Sequence, residues 1–378
     1  MAIVLLFILS ATLAHYFWDY NPTTDLDYSL KLKPPNLTTS EEITSIHLFG
    51  TDKLGRDIFR RTIHGGWNSL RVGIVAVGIS LLVGGLLGLI AGFYEMMPIS
   101  SIERIAIFAG IGLLLGAIPA WVSAQAWMAL LFAALGAVAG RYIDLLQGTD
   151  RPKGQTAPAR LVVFAAAGIL FGGLPALLTS PYTAVVTAIL GLMIGTFLAL
   201  PITGGLISNS IMRLMDIVLS FPSYLLAIAI VAFLGPGLEK GMIAIGVVGI
   251  PVYARIVRSS VLSVVQKEYI LAAQSIGEGN VRIIFRYIVP NILSPVIVQT
   301  TMGLASAILS AAALGFLGLG AIPPEPEWGA MLGDSYRFLT SGAWWAVLFP
   351  GLAIMLSVLG FNLLGDGLRD ALDPKLKI

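Results

Sequence analysis

The sequence lacks cysteine altogether and is poor in charged residues. Without cysteine, the chain has no disulfide, no thiolate metal site and no cysteine nucleophile. Only 12% of its 378 residues are charged, whereas a soluble domain carries roughly 25%. A net charge of +2 also gives no strongly basic surface for nucleic acid. The chain therefore needs surroundings other than water, and nucleic acid is not an expected partner.

Signatures of catalysis and of nucleotide binding are missing as well. The three histidines are scattered and show no spacing typical of a metal site. No Gly-x-Ser-x-Gly elbow of a hydrolase is present. The segment 50–57 ends in Arg56 and Asp57, where a phosphate-binding loop needs Lys followed by Ser or Thr. We therefore expect no enzyme activity, no cofactor and no metal, so any energy would have to come from a separate ATPase or from an ion gradient.

Long apolar runs dominate the sequence, in which 57% of the residues are hydrophobic. A helix needs about 20 such residues to cross a membrane. The first run reaches residue 13 with no basic residue before it, so we expect a retained span rather than a cleaved signal peptide. Further spans are predicted at 72–93, 104–121, 124–140, 161–178, 182–204, 222–234, 243–261, 292–314 and 344–364. The pattern predicts an all-α, polytopic membrane protein of about ten transmembrane helices.

The spans divide the chain into three parts. Residues 1–94 carry two spans separated by a polar, extracytoplasmic segment at 19–70, and residues 206–378 carry four more. Residues 95–205 carry two pairs of apolar runs. The first pair recurs 56 residues later in the second, with Arg104, Phe108, Gly112, Gly116 and Pro119 matched by Arg160, Phe164, Gly168, Gly172 and Pro175. We expect tandem helical hairpins there, with chance similarity in biased composition as the alternative.

Three glycines in the second span predict a close helix contact. Gly84, Gly88 and Gly92 follow at intervals of four residues, which places them on one helix face. Such a strip lets a neighbouring backbone approach closely. The alternative is the general richness of membrane helices in glycine.

Basic residues in the short loops predict the orientation of the chain. The basic residues Arg141, Arg151, Lys153, Arg160, Arg255, Arg258, Lys267, Arg282, Arg286, Arg369, Lys375 and Lys377 all fall on one side of the predicted membrane. That side is expected to be the cytoplasm, with both termini there.

The segment at 266–291 lies between two predicted spans on the cytoplasmic side. Ala272 and Ala273 favour helix, Gly277 favours a helix end, and Pro290 precedes the next span. The sequence predicts a short amphipathic helix, a turn and a second short helix. Such an element can dock in a groove of a cytosolic partner and move the spans at its two ends. An ordinary interfacial loop is the alternative.

This segment resembles the EAA loop of ABC importer permeases. Ala272, Ala273, Gly277 and Pro290 match the spacing of that motif, whereas Leu271 stands where the family has its glutamate. The resemblance implies that the segment couples the permease to an ATPase. The implied coupling positions are Glu268, Ala272, Ala273, Gly277, Arg282, Arg286, Pro290 and Asn291.

Other stretches resemble the C-type permease subunit of the dipeptide/oligopeptide/nickel family. The matching positions are Gly50, Thr51, Asp52, Gly55, Arg56, Asp57, Asp216, Pro222, Arg255 and Arg258, with further stretches at 316–329 and 362–374. The resemblance covers 1–94 and 206–378, which implies a six-helix importer core. The run 95–205 departs from the family and is expected to be an insert of four helices. For segment 50–57 we expect a structural cap at the outer mouth.

The resemblance implies a permease subunit that moves peptides or similar small solutes inward by alternating access. Implied partners are two ATP-binding-cassette ATPase subunits, a second homologous permease subunit, an extracytoplasmic solute-binding protein and membrane lipid. The implied location is the inner (plasma) membrane. Nickel or glutathione is the alternative cargo, and a self-sufficient ion-coupled secondary transporter is the alternative class. Few acidic residues lie inside the predicted spans, which favours external energy. Asp216, near the cytoplasmic entry to a span, is the main candidate for a functional charge. Its expected partner is Arg213 or Arg255, and a solvated interfacial carboxylate is the alternative.

Overall fold

The computed structural model describes residues 2–97 and 204–372, except for residues 19, 23 and 39–45. Contacts divide the chain into one unit of residues 1–93 and 210–378 and a second unit of residues 94–209. In the second unit, the Ser208 hydroxyl donates a hydrogen bond to Glu95 Oε2 at 2.8 Å. The predicted tandem hairpins of the 95–205 insert lie outside the described residues.

The described residues form helices, loops and two isolated β-bridges, without a strand. In chain order the α-helices are α1 (Ala2–Phe17), α2 (Ile58–Ile79), α3 (Gly85–Met96), α4 (Gly204–Leu219), α5 (Ser223–Leu234), α6 (Leu238–Val265), α7 (Glu268–Ser275), α8 (Asn280–Ile283), α9 (Val289–Phe316), α10 (Trp328–Ser335) and α11 (Trp345–Leu372). Two 3₁₀ turns (Tyr28–Leu30 and Tyr336–Ser341) and two π-helical turns (Ser80–Gly84 and Ile284–Ile288) complete the description. The predicted all-α class is therefore confirmed for the described residues.

Within those residues, four continuous helices are long and apolar enough to cross a membrane: Ile58–Met96, Leu238–Val265, Asn280–Phe316 and Trp345–Leu372. Helices α4 and α5 form a fifth candidate that is bent by 87°. The apolar α1 has 16 residues and reaches about 24 Å, which is short of a bilayer core of about 30 Å. The described part thus supplies four or five candidate spans and a short apolar helix, and the predicted number of about ten is not confirmed.

The bend between α4 and α5 has a local cause in the sequence. Pro222 carries no N–H, and the residue before a proline is disfavoured in helical conformation. Helix α4 accordingly ends at Leu219, and α5 begins at Ser223, directly after Pro222.

The second predicted span is part of a longer helix. A continuous helix runs from Ile58 to Met96 through the π turn, so it begins inside the segment predicted at 19–70. Asp57 starts this helix, because its carboxylate accepts a hydrogen bond from the Arg60 backbone N–H at 2.9 Å. The helix has 39 residues and is about 58 Å long, which exceeds the bilayer core.

The main core of the first unit joins the first two helices to α9, α10 and α11. Phe7 of α1 contacts the ring of Trp328 in α10 at 5.4 Å and that of Phe361 in α11 at 6.1 Å. Buried Ile308 of α9 and Trp345 of α11 belong to the same cluster. The short α1 is thereby packed against α2 and α11, and this body holds the surfaces described next.

Candidate functional site

The segment between α6 and α9 folds into the predicted helix, turn and second helix. Helix α7 ends in a Schellman motif, in which Gly277 N–H bonds the Gln274 carbonyl at 2.9 Å and Glu278 N–H bonds the Ala273 carbonyl at 3.1 Å. Gly277 has φ of +80°, a conformation that suits glycine because it has no Cβ. The glycine therefore fixes the angle between α7 and α8.

Helix α7 is anchored by one face and exposed on the other. Ile270 and Ala273 are buried at 0% and 3% exposure, three residues apart on the same side. Ile283 and Ile288 anchor the following turn in the same way, since both are fully buried. These four side chains attach the segment to the helical body.

Five large apolar side chains of the segment remain exposed. They are Tyr269, Leu271, Ile276, Val281 and Phe285, with exposures from 42% to 76%. Apolar clusters of this kind at the surface mark interaction sites. The coupling positions predicted from the sequence are those of the motif, and they do not include these five exposed side chains. The helical register could have found them, because Ile270 and Ala273 turn Tyr269 and Leu271 outward.

The second helix continues through Pro290, whereas the sequence predicts a short second helix that is separate from the span beginning at this proline. A π-helical turn at Ile284–Ile288 joins α8 to α9, so that Asn280–Phe316 is one continuous helix. Val289 N–H bonds the Ile284 carbonyl, and this wider turn accommodates a proline that offers no N–H. Asn291 Nδ2 donates to the Tyr287 carbonyl at 2.6 Å. The segment is thus rigidly connected to α9.

Charged side chains border this exposed surface. Glu268, Arg282 and Arg286 are exposed, while Glu278 is largely covered and lies 3.9 Å from Arg282 Nε. The Tyr287 hydroxyl lies 3.3 Å from Glu278 Oε1. Ala272 and Pro290 are exposed as well, whereas Ala273 is a buried anchor. The structure therefore brings the predicted coupling positions into one segment, with most of them accessible.

The three spaced glycines contact α6, the helix that leads into this segment. A methyl group added at Gly84 would lie 2.9 Å from Tyr253 Cβ, and one at Gly92 would lie 2.9 Å from the Arg258 carbonyl oxygen. Gly88 faces the backbone of Ala254 between them. The predicted close helix contact is confirmed, and α3 and α6 pack too tightly at these points to admit a side chain.

The motif at 50–57 forms a buried ionic cluster before α2. Asp52 Oδ2 pairs with Arg56 Nε at 2.6 Å and lies 3.6 Å from Arg61 Nε. Asp52 Oδ1 accepts the backbone N–H groups of Leu54 and Arg56 at 2.8 and 3.0 Å. Lys53 reaches Asp334 in α10 at 2.6 Å. These contacts tie the start of α2 to α10, which agrees with the expected structural cap.

The remaining motif positions support this cluster. His47 Nδ1 lies 2.7 Å from Asp57 Oδ2, and the Thr51 carbonyl accepts a hydrogen bond from Trp345 Nε1 at 3.1 Å. Gly50 and Gly55 have φ of +72° and +76°. A Cβ at Gly55 would collide with the Asp27 backbone, which explains the glycine at this position.

Glu327 is a second buried carboxylate near the same end of the helices. It is 1% exposed and caps α10 by accepting N–H groups of Gly329 and Ala330, both at 2.8 Å. Burial raises the pKa of Glu327 above its ordinary value, and the two backbone hydrogen bonds partly offset this effect.

Asp216 pairs with Arg255 rather than with Arg213. The Asp216 Oδ1 to Arg255 Nη2 distance is 2.7 Å, and about half of each side chain is exposed. Pro222 lies six residues after Asp216 and directly precedes α5. The pair therefore connects α4 with α6 next to the bend, three residues before Arg258, whose carbonyl oxygen faces Gly92.

The described residues contain no cluster of three or more His, Cys, Asp or Glu able to hold a metal ion. Their geometry gives an exposed apolar surface at 266–291, a closely packed helix pair and a buried ionic cluster.

Known proteins match this chain along most of its length. A family model for the inner membrane component of binding-protein-dependent transport systems matches residues 191–378. The chain is 41% identical over 331 residues to a dipeptide transport system permease protein of Alkalihalophilus pseudofirmus, covering 88% of this chain and 73% of the relative. It is 36% identical over 374 residues to a di/tripeptide transport system permease protein of Pseudomonas aeruginosa, and the match covers 99% of this chain and 86% of the relative. A glutathione transport system permease protein of Pectobacterium atrosepticum is 32% identical over 374 residues, and the match covers 99% of this chain and 85% of the relative.

Proposed function

Because the chain belongs to the family of binding-protein-dependent transport system inner membrane components, we propose that it is the permease subunit of an ATP-driven importer that carries peptides. The observation that carries this proposal is the 41% identity to a dipeptide permease over 88% of the chain. A relative named for glutathione keeps small peptide-like solutes within the cargo class. Nickel has no such support among these relatives. An ion-coupled secondary transporter is not favoured by this family.

The proposed location is the inner (plasma) membrane, with several spans. Basic residues in α6 and in the segment 266–291, such as Arg258 and Arg286, support a cytoplasmic location of this side, because short cytoplasmic loops are rich in Lys and Arg. In this orientation both termini are cytoplasmic. The ionic cap at 50–57 and helix α10 then face the outside.

Two ATPase subunits are the proposed source of energy, one for this chain and one for a second homologous permease. The ATPase partner of this chain would dock on the segment 266–291. The exposed apolar side chains there would enter a groove of the ATPase, and Glu268, Arg282 and Arg286 would orient the contact. This chain itself would catalyse no reaction and hold no cofactor.

Movement of the docked segment would reach the membrane through the helices at its two ends. Helix α6 precedes the segment and packs on α3 through the glycine strip, while α8 continues into α9. A rigid connection transmits displacement better than a loose loop. We infer that ATP binding moves α6, α3 and α9 together and changes the side of the membrane to which the pathway opens. A solute-binding protein would deliver the cargo outside.

The roles of the three chain segments follow from this proposal. Residues 1–94 and 206–378 would form the importer core, with 19–70 mostly outside the membrane and 266–291 as the coupling segment. The insert 95–205 would be peripheral tandem hairpins.

A chain in which residue 94 is joined directly to residue 206 should then retain part of its transport, whereas loss of complex assembly would refute a peripheral insert.

Affinity purification from native membranes in mild detergent tests the assignment. We expect two ATPase subunits, a second permease and a binding protein among the co-purifying chains, identified by mass spectrometry. Proteoliposomes with this complex should take up a labelled dipeptide when ATP and binding protein are present, with or without an uncoupler. Uptake by the chain alone that collapses with an uncoupler at constant ATP would refute an ATP-driven importer.

A further inference from the structure

A groove of about 780 Å³ lies between α9, α10 and α11. Its lining includes the small residues Ala312, Ala313 and Gly351 and the larger residues Phe316, Leu332 and Met355. Asn362 is the polar side chain at its inner end. The groove is therefore apolar along nearly its whole length.

The length of the groove corresponds to one leaflet of a bilayer. Its lining on α11 runs from Gly351 to Asn362, an interval of 11 residues or about 16 Å. The apolar core of a bilayer is about 30 Å thick, so one leaflet contributes about 15 Å. The groove starts beside Phe316, where the candidate span of α9 ends. It thus extends from one membrane surface to about the bilayer centre.

An exposed cation lies near the surface end of this groove. Arg337 Nε donates to the Tyr336 hydroxyl at 3.0 Å, and its guanidinium carbon lies 5.6 Å from the centre of the Tyr336 ring. The Tyr336 ring in turn lies 5.4 Å from that of Phe316, which lines the groove. Tyrosine and arginine at this level are typical of the membrane–water interface.

We propose that this groove binds one acyl chain of an anionic phospholipid whose phosphate is bound by Arg337. The guanidinium fork matches phosphate oxygens in geometry and charge, and the apolar groove matches a chain that reaches the bilayer centre. In the proposed orientation the lipid belongs to the outer leaflet. The site is separate from the coupling segment, so it does not depend on the identity of the cargo.

Gly351 offers a substitution that fills the groove without disturbing the helix. A Cβ at Gly351 would have no neighbour within 4 Å, although this residue lines the groove. Gly367 lies on the same helix, is equally open and is not among the groove residues. Gly351→Leu therefore tests the groove, and Gly367→Leu is its matched control.

Native mass spectrometry of the purified complex, titrated with phosphatidylglycerol, measures binding. We expect Gly351→Leu to remove one bound lipid and Gly367→Leu to retain it. Loss of one cation near a membrane surface is worth about 1 kcal/mol, so Arg337→Gln should weaken binding about fivefold, and Arg337→Lys should restore most of it. Equal lipid counts and affinities in all four variants would overturn the proposal.

A second measurement distinguishes lipid from protein in the groove. The chain contains no cysteine, so Gly351→Cys introduces a unique attachment point for a benzophenone probe. Irradiation in membranes should give an adduct with the mass of a phospholipid. A cross-link to another polypeptide would instead assign the groove to a subunit interface and refute lipid binding. Both results can be read without a transport assay.

Discussion

Replacing Gly277 with valine should uncouple ATP hydrolysis from transport. Gly277 ends α7 with φ of +80°, and a Cβ at this position would meet no atom within 4 Å. The expected defect is therefore conformational rather than steric. Valine is especially unsuitable for positive φ because it is branched at Cβ.

The size of the effect follows from the cost of the left-handed conformation. This conformation costs an L-residue roughly 1–2 kcal/mol. Since about 1.4 kcal/mol corresponds to a factor of ten, the turn that presents α7 should be about 5- to 30-fold less populated. The effective affinity for the ATPase should fall by the same factor, because only the competent fraction binds.

Two variants serve as controls for this prediction. Asparagine tolerates positive φ better than other non-glycine residues, so Gly277→Asn should retain most activity. Gly279 is equally free of neighbours but has φ of −70°, which valine adopts readily. Gly279→Val should therefore behave like the unmodified chain.

Reconstituted complexes provide the assay. Peptide uptake and peptide-stimulated ATP hydrolysis should both fall for Gly277→Val, and recovery of ATPase subunits with the tagged chain should fall in mild detergent. The level of the chain in the membrane should not change. Unimpaired uptake by Gly277→Val, or an equal defect in Gly279→Val, would refute the role assigned to this turn.

Three further predictions concern stability, measured as thermal unfolding of the purified complex. Gly88→Leu should force α3 away from the backbone of α6 and lower the free energy of unfolding by about 1–3 kcal/mol. Gly78→Leu, at an open position, should leave the free energy of unfolding unchanged. Equal losses in the two variants would contradict the packing argument. Asp52→Asn leaves the buried Arg56 and Arg61 without the Asp52 carboxylate and should lower the free energy of unfolding by about 3–5 kcal/mol. Lys53→Ala breaks a partly exposed ion pair and should lower it by less than about 1 kcal/mol. A larger loss in Lys53→Ala than in Asp52→Asn would refute the buried cluster. Because the pKa of Glu327 is raised in the folded protein, the folded state binds the Glu327 proton more tightly than the unfolded state does. The free energy of unfolding should therefore fall as pH rises from the ordinary glutamate pKa through the raised one. Glu327→Gln should remove this pH-dependent component, and an unchanged pH profile in that variant would contradict the assignment.

The coupling segment illustrates what the sequence can predict. Ala272, Gly277 and Pro290 predicted a helix, a turn and a second helix, because alanine propensity and the freedom of glycine act locally. The continuation of the helix past Pro290 was not predicted. A π turn absorbs the missing N–H, and whether a chain makes such a turn depends on the packing of Ile283 and Ile288.

The contacts across the molecule required the structure. The spacing of Gly84, Gly88 and Gly92 predicted a close contact but not its partner α6, since any neighbouring helix could fill that strip. Lys53 and Asp334 are far apart in sequence, and nothing local indicates that they form an ion pair. The sequence offers both Arg213 and Arg255 as ion-pair partners of Asp216, and only the packing of α4 against α6 shows that the partner is Arg255.

The helix from Ile58 to Met96 is long enough to act as a lever in the proposed transport cycle. Its first residues follow the ionic cluster at 50–57, and its last part lies against α6 along the glycine strip. A helix about 58 Å long that tilts by about 5° around its midpoint displaces its two ends by about 2.5 Å in opposite directions. In the proposed orientation, a small push at the cytoplasmic end would therefore move the outer end in the opposite direction, and the two mouths of the proposed pathway would change together.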